Sequence, residues 1–312
     1  MLARQAGRAW EVLAPAKLNL YLEILGRRDD GYHEVDTLMT PVRLFDRLSW
    51  TAGDDGAPAA LHYDPATPRD LMDAAPADGA NLAWRSIELL AREAGVAPRG
   101  QFRLLKRIPV QAGLGGGSAD AAAALVLANA AWGLNFDRAR LAALAARLGS
   151  DVPFFLAGGP AICRGRGEYV EPVADLPRLN FVIVKPAAGV STVAAFQALG
   201  AQSASPAAAE VSHKRVGEIV DNLRKGRVAR AGRLMVNRLE AAAVRLCPAI
   251  GLAAAAVASS GCAARQLTGS GAAYFGIATT ARQARQIARR LAARGLGQAF
   301  AVATYRAASP PA

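Results

Sequence analysis

Residues 109–124 read PVQAGLGGGSADAAAA, with glycines at 113, 115, 116 and 117 directly ahead of an alanine-rich run. Glycine has no Cβ, so successive peptides can turn their N–H groups toward one point and let a ligand approach the backbone. A helix beginning near Ser118 adds free amides and a positive dipole end, which together make a site for phosphate. The stretch is not a Walker A loop, which needs Lys-Ser/Thr after its last glycine. Nor is it GxGxxG, because Ser118 follows Gly117. As a mere connector, four glycines in five positions would cost considerable chain entropy. Asp120, in the first turn of that helix, either complements the dipole or meets Mg²⁺ directly or through water.

Upstream of the loop, Leu18, Leu20, Leu22 and Ile24 alternate with Lys17, Asn19, Tyr21 and Glu23. That period of two predicts a half-buried strand. Residues 26–31, GRRDDG, read as a turn and Tyr32–Val42 as the return strand, with further strands at Leu44–Thr51 and Leu61–Tyr63. Asn81 caps a helix over Leu82–Glu93 that Gly95 ends. Gln101–Val110 reads as a strand, and Ser118–Trp132 and Asp137–Leu148 as helices; strands followed by helices make an α+β unit. After a composition shift near Pro172–Arg178, the apolar strand Leu179–Lys185 opens a second region. There, helices at Arg215–Leu223, Val228–Leu234, Ala249–Ser259 and Ala281–Arg294 interleave with strands at Gln266–Leu267, Tyr274–Ile277 and Gln298–Tyr305. Two domains are expected, 1–178 and 179–312, with a frayed tail at Ser309–Ala312.

Composition narrows the classes. The 312 residues are 52% hydrophobic, enough for a sizeable core, and carry a formal charge of +12. That excess suits anionic metabolites or nucleic acid. With no run of six like charges, the arginines read as solvated helix faces, which counts against a nucleic-acid binder. Cys163, Cys247 and Cys262 form no CxxC pair, so a reduced, cytoplasmic protein is expected. No apolar run is long enough for a membrane span.

The loop resembles that of the GHMP kinases, the superfamily of galactokinase, homoserine kinase, mevalonate kinase and phosphomevalonate kinase. APAKLNLYLEILGRRDDGYHEVDTL at 14–38 is similar to the branch acting on 4-diphosphocytidyl-2-C-methyl-D-erythritol. Asn81-Leu82, LGSDVPF at 148–154, GVST at 189–192, NRLE at 237–240 and TGSGA at 268–272 follow in the expected order. The resemblance implies a two-domain α+β architecture: an N-terminal ribosomal-protein-like α+β domain and a C-terminal ferredoxin-like α/β sandwich, with substrate between them. It implies ATP-dependent phosphorylation, with Mg²⁺, of that acceptor's 2-hydroxyl in non-mevalonate isoprenoid precursor biosynthesis. No nucleic-acid or membrane partner is expected; monomer and homodimer stay open.

Residue by residue, the resemblance assigns ATP binding to Pro109, Gly113, Leu114, Gly115, Gly116, Gly117, Ser118 and Ala119. Lys17, which as a lone strand lysine would snorkel to solvent, matches the family's catalytic lysine. Asp151 matches the catalytic aspartate, able to orient the hydroxyl or accept its proton; by itself it reads as an N-cap before Val152-Pro153. Tyr32 and His33, expected on opposite faces of one strand, match the cytidine-recognising pair. Asn19, Thr192, Gly269, Ser270 and Gly271 are expected to face substrate. A homoserine- or mevalonate-like acceptor is the alternative within the superfamily, and it would not require Tyr32-His33.

Overall fold

The alternating segment lies inside a strand far longer than the pattern suggests. In the computed structural model, which describes residues 1–53, 57–75, 79–200 and 206–307, β1 (Arg4–Ala6) leads into β2 (Ala9–Arg27) and β3 (His33–Thr51). β2 and β3 pair antiparallel along nearly their full length, with bulges that include one between Asn19 and Tyr21. After β4 (Ala60–Tyr63), α1 (Arg69–Ala74) and α2 (Leu82–Ala94), β5 (Gln101–Leu105) joins β3 antiparallel and β4 parallel. α3 (Gly116–Ala131), α4 (Arg138–Leu148) and α5 (Val152–Ala157) precede the hairpin β6 (Ala161–Gly165) and β7 (Tyr169–Pro172), whose first strand pairs with β3. These seven strands form one sheet.

A second, four-stranded antiparallel sheet is built from β8 (Asn180–Lys185), β9 (Ala264–Leu267), β10 (Tyr274–Ala278) and β11 (Gln298–Ala303), in the order β11-β8-β10-β9. Between β8 and β9 run α6 (Thr192–Leu199), α7 (Pro206–Arg224), α8 (Val228–Leu234), α9 (Glu240–Leu246) and α10 (Pro248–Ala258); α11 (Ala281–Ala293) precedes β11. The two sheets meet between Pro172 and Asn180, the interval that holds the expected boundary at 178/179. The expected tail at Ser309–Ala312 lies outside the described residues.

The expectation of a half-buried strand fails. Every residue of β2 from Ala14 to Gly26 is buried, polar ones included. Elements of the second region supply the reason: Phe181, Ile183 and Phe275 of its sheet share one apolar cluster with Leu18 and Leu20, while Gly269 N donates to Asn19 and Ser212 pairs with the Tyr21 hydroxyl on the side the pattern left polar. Main-chain bridges Leu22–Asn237 and Val42–Thr304 tie the halves further. Charged and polar side chains tolerate this burial only when paired. Glu23 accepts from Arg238 Nε at 2.6 Å, and Asp36, fully buried, accepts from Ser212 Oγ at 2.7 Å.

Local chemistry sets the elements around the loop. Asn81 Oδ1 accepts from Ala83 N at 2.9 Å, and Gly95 ends α2 in the left-handed region, as the pattern predicts. β5 stops at Leu105, five residues short of expectation, because the next amides bond elsewhere: Ile108 N donates to Asp46 Oδ1 at 2.8 Å. α3 starts two residues early, so Gly116 and Gly117 form its first turn. From Ala119 to Leu125 it is buried on every side, which is why small alanines line it.

Candidate active site

The phosphate loop is held open by contacts that only glycine permits. At Gly113, φ is +70°, and a Cβ would overlap the carbonyl oxygen of Thr268. At Gly115, φ is +72°, and a Cβ would lie 2.9 Å from both Lys17 Cγ and Phe155 Cζ. Gly115 also stands at the N-cap of α3 with no side-chain cap, so the first amides of that helix are left for an anion. Gly113→Ala therefore faces left-handed strain of roughly 1–2 kcal/mol and a backbone collision besides. The expected outcome is a lower melting temperature together with a raised KM for ATP, read by thermal unfolding and steady-state kinetics. Unchanged values for both would refute this account of the loop.

Beside the loop, Lys17 is almost wholly buried and does not snorkel. Its Nζ donates to Asn19 Oδ1 at 2.5 Å and lies 3.5 Å from Asp151 Oδ2, while its amide donates to Leu114 O at 2.9 Å. The side chain of Asp151 makes no cap bond at the start of α5. The capping role expected of it is thus not realised, and the carboxylate, 37% exposed, is left facing Lys17. Asn19 Oδ1 also accepts from Gly269 N at 2.9 Å and Thr268 Oγ1 at 3.3 Å, and its Nδ2 donates to Thr37 Oγ1 at 2.9 Å. Ala273 N donates to Ala112 O at 3.0 Å, so the second glycine turn is bonded directly to the phosphate loop.

Across the cavity, Tyr32 lies just before β3 begins rather than within it, and so both it and His33 face the same space. The expected opposite-face arrangement is overturned by that turn. The Tyr32 ring is half exposed, with the Arg166 guanidinium 4.6 Å from its centroid. His33 stacks on Phe196 of α6 at 4.7 Å. Burial, with Arg27 nearby, pushes His33 below its ordinary value, so the imidazole is neutral near pH 7. Thr192 Oγ1 and Ser270 Oγ are 2.8 Å apart. These groups surround one cavity of about 940 Å³.

Three expected residues are not brought to its wall: Ala119, Asp120 and Gly271. Asp120 is instead buried beneath the loop, where Lys106 Nζ lies 2.7 Å from Asp120 Oδ2 and 2.5 Å from Asp46 Oδ2. Burial on its own would push Lys106 down, but the two carboxylates outweigh it and hold the ammonium above its ordinary value. Burial, with Asp46 adding to it against the pull of Lys106, pushes the Asp120 carboxyl up. Asp120 Oδ1 has no hydrogen-bond partner among the described residues. Lys106 and Asp46 were not legible as site residues, although LLKRIP, a charged pair between an apolar strand and the loop, carries a faint signal. Phe196 and Arg166 were missed because α6 and the β6–β7 hairpin carry no clear periodicity.

Comparison with known proteins follows the same outline. Residues 81–159 match the family described as the GHMP kinases N terminal domain, and residues 219–296 the GHMP kinases C terminal. The 4-diphosphocytidyl-2-C-methyl-D-erythritol kinase of Pelotomaculum thermopropionicum is 41% identical over 278 residues, covering 89% of this chain and 92% of its own. The protein of the same name from Mycobacterium tuberculosis is 37% identical over 297 residues, covering 94% and 89%. A crystal structure of 4-(cytidine 5'-diphospho)-2C-methyl-D-erythritol kinase superposes with a TM-score of 0.76 at 35% identity, over 95% of this chain and 100% of that one.

Proposed function

We infer the roles of these residues from a plain premise: the chain belongs to the GHMP kinases and, within them, to the 4-diphosphocytidyl-2-C-methyl-D-erythritol kinases. It is an ATP-dependent kinase that phosphorylates the 2-hydroxyl of 4-diphosphocytidyl-2-C-methyl-D-erythritol in non-mevalonate isoprenoid precursor synthesis. One observation carries the residue-level reading: Lys17 and Asp151 meet 3.5 Å apart beside an uncapped helix N-terminus.

Phosphoryl transfer asks a protein mainly for position and charge stabilisation. The backbone of the 113–118 loop cradles the triphosphate, with Pro109 and Leu114 shaping its walls. Lys17 stabilises charge on the acceptor oxygen and the moving phosphoryl group. Asp151 orients the hydroxyl and is placed to accept its proton. Asn19 acts chiefly through Lys17, because its carbonyl oxygen already accepts three bonds and only one N–H is left over. The exposed Tyr32 ring is a platform for the cytosine, and neutral His33 reads the base edge. Thr192, Gly269 and Ser270 close the acceptor side, while Gly271 and Ala119 shape the two turns behind it.

Mg²⁺ takes oxygen ligands and is commonly held by one or two carboxylates plus substrate phosphates. Among the described residues no group of three or more His, Cys, Asp or Glu side chains could hold an ion alone. The cavity wall does offer the Asp151 carboxylate and the Ser118 hydroxyl, a donor set that fits an ion carried in on the triphosphate. Asp120 is committed to Lys106, so its role in this reading is to position the loop rather than to ligate the metal. When bound, Mg²⁺ would offset charge on the phosphate oxygens. The reading needs no nucleic-acid or membrane partner. A cytoplasmic enzyme, monomer or homodimer, satisfies it, and no helix among the described residues is long and apolar enough to cross a membrane.

A coupled assay of ADP release over a panel of alcohols tests the substrate. Turnover is expected with the cytidine-linked acceptor and not with homoserine or mevalonate. Comparable kcat/KM for either of those two would overturn the assignment.

A further inference from the structure

Four cationic side chains line the cavity: Lys17, Arg27, Lys106 and Arg166. Two have partners that explain them. Lys17 faces Asp151, and Lys106 lies between Asp46 and Asp120. The other two stand at the acceptor end. Arg27 is registered opposite His33, and Arg166 lies over the Tyr32 ring. His33 is held neutral and supplies no charge there.

Arg166 sits at the tip of the β6–β7 hairpin, and its neighbours on either side fix where that tip lies. Gly167 packs on the loop that carries Asp151: a Cβ there would be 3.3 Å from Ser150 O and 3.5 Å from Asp151 Oδ1. Gly165 is registered with Val35, two residues beyond His33. The hairpin tip therefore lies beside the carboxylate assigned to the reacting hydroxyl, while its guanidinium reaches the ring assigned to the base. Among the described residues its one ion pair is with Glu168, through Nε at 3.5 Å, and Asp30 lies near enough to feel its charge. The two Nη groups make no hydrogen bond among the described residues, which leaves the outer edge of the fork free. A planar fork of N–H donors is the side chain best matched to phosphate oxygens.

We propose that Arg166 binds the diphosphate that links cytidine to the methylerythritol, setting both affinity and register for the acceptor. This rests on the acceptor assigned above. A diphosphate joining the base to the acceptor has to cross from that ring toward that carboxylate, past the hairpin tip, so a shift of the side chain off Tyr32 would free the ring for cytosine while the fork takes the phosphates.

The test compares CDP with cytidine as competitive inhibitors against the acceptor, in the wild type and in Arg166→Gln and Arg166→Lys. Hydrogen bonds to charged groups contribute about 1.5–3 kcal/mol, which corresponds to roughly 10- to 150-fold in affinity. In the wild type, CDP is expected to bind tighter than cytidine by about that factor. In Arg166→Gln the advantage should shrink at least tenfold, with KM for ATP unchanged, and Arg166→Lys should fall between. Because each variant is referred to its own cytidine affinity, a general loss of packing at Tyr32 does not mimic the result. A wild-type advantage that survives intact in Arg166→Gln overturns the proposal and leaves the acceptor standing. Failure of CDP to compete in the wild type overturns the acceptor assignment itself, and the proposal with it.

Discussion

Asp151→Ala is expected to lower kcat by about 10²- to 10⁴-fold, the range that a positioned acid or base contributes. KM for ATP should change less than kcat, because in this reading main-chain amides hold the triphosphate and Asp151 would reach it only through the metal ion. The physical case is the geometry of the pair. Lys17 is buried and fixed from one side by Asn19, so its ammonium has a single preferred direction, toward Asp151 3.5 Å away. A hydroxyl entering between loop and carboxylate meets a cation and an anion at once. Removing the carboxylate loses the alignment of the hydroxyl and the destination of its proton, while Lys17 and the loop remain. Asp151→Asn separates the two losses: an amide can still orient a hydroxyl but is no base. Activity near the wild type in Asp151→Asn would mark orientation as the main contribution. Activity within tenfold of the wild type in Asp151→Ala would remove the residue from the mechanism altogether.

Lys106→Met should cost the fold about 3–5 kcal/mol, the range for breaking a buried ion pair by deleting one partner. Asp46 and Asp120 would then face each other with no cation between them, both buried. Asp46 keeps its backbone donors, including Ile108 N at 2.8 Å, but Asp120 loses the cation its carboxylate pairs with. The sign of the pH dependence follows. Asp120 is already pushed up by burial and by Asp46 against the pull of Lys106, so removing the ammonium raises its folded-state affinity for a proton further above the unfolded one. The penalty is therefore full at alkaline pH and shrinks as pH falls and the carboxyls protonate. Urea unfolding at pH 8 and pH 5.5 should show the deficit narrowing at the lower value. A difference under about 1 kcal/mol at pH 8 would show that the triad does not anchor the helix.

The link from this triad to function is short. Lys106 Nζ lies directly under the loop, where a Cβ on Gly116 would come within 3.2 Å of it. The triad joins β3, the segment after β5 and the second turn of α3, so it fixes the direction in which the helix amides point. That positioning explains why two carboxylates and a lysine are kept in a core where apolar side chains would be cheaper to bury.

Much of the molecule could be read before any coordinates. The helix at 82–94 was legible because its cap and stop signals, Asn81 and Gly95, act within one turn. The phosphate loop was legible because glycine spacing is a backbone property that needs no distant partner. What misled was β2. Its period of two is real, yet the face the pattern left polar is covered as well, Asn19 by the turn at Thr268–Gly269, Tyr21 by Ser212 and Glu23 by Arg238, and burial depends on what packs there rather than on the strand alone. Local context around Asp151 is incomplete in a similar way: its place before Val152-Pro153 alone describes a cap, the alternative to the catalytic role, but the carboxylate turns to Lys17, 134 positions away in the chain.

By itself the amino-acid sequence determined where the chain turns, where it offers bare amides to an anion, and which local segments run extended or helical, since all of these follow from contacts within a few residues. Only the tertiary structure decided that Tyr32 and His33 share a cavity with Lys17 and Asp151, that Asp120 turns inward to Lys106, and that Arg166 lies over the Tyr32 ring. Each of those facts depends on pairing strands and packing helices from separate parts of the chain. The energies that select such pairings come from burial and charge compensation between residues the sequence keeps far apart.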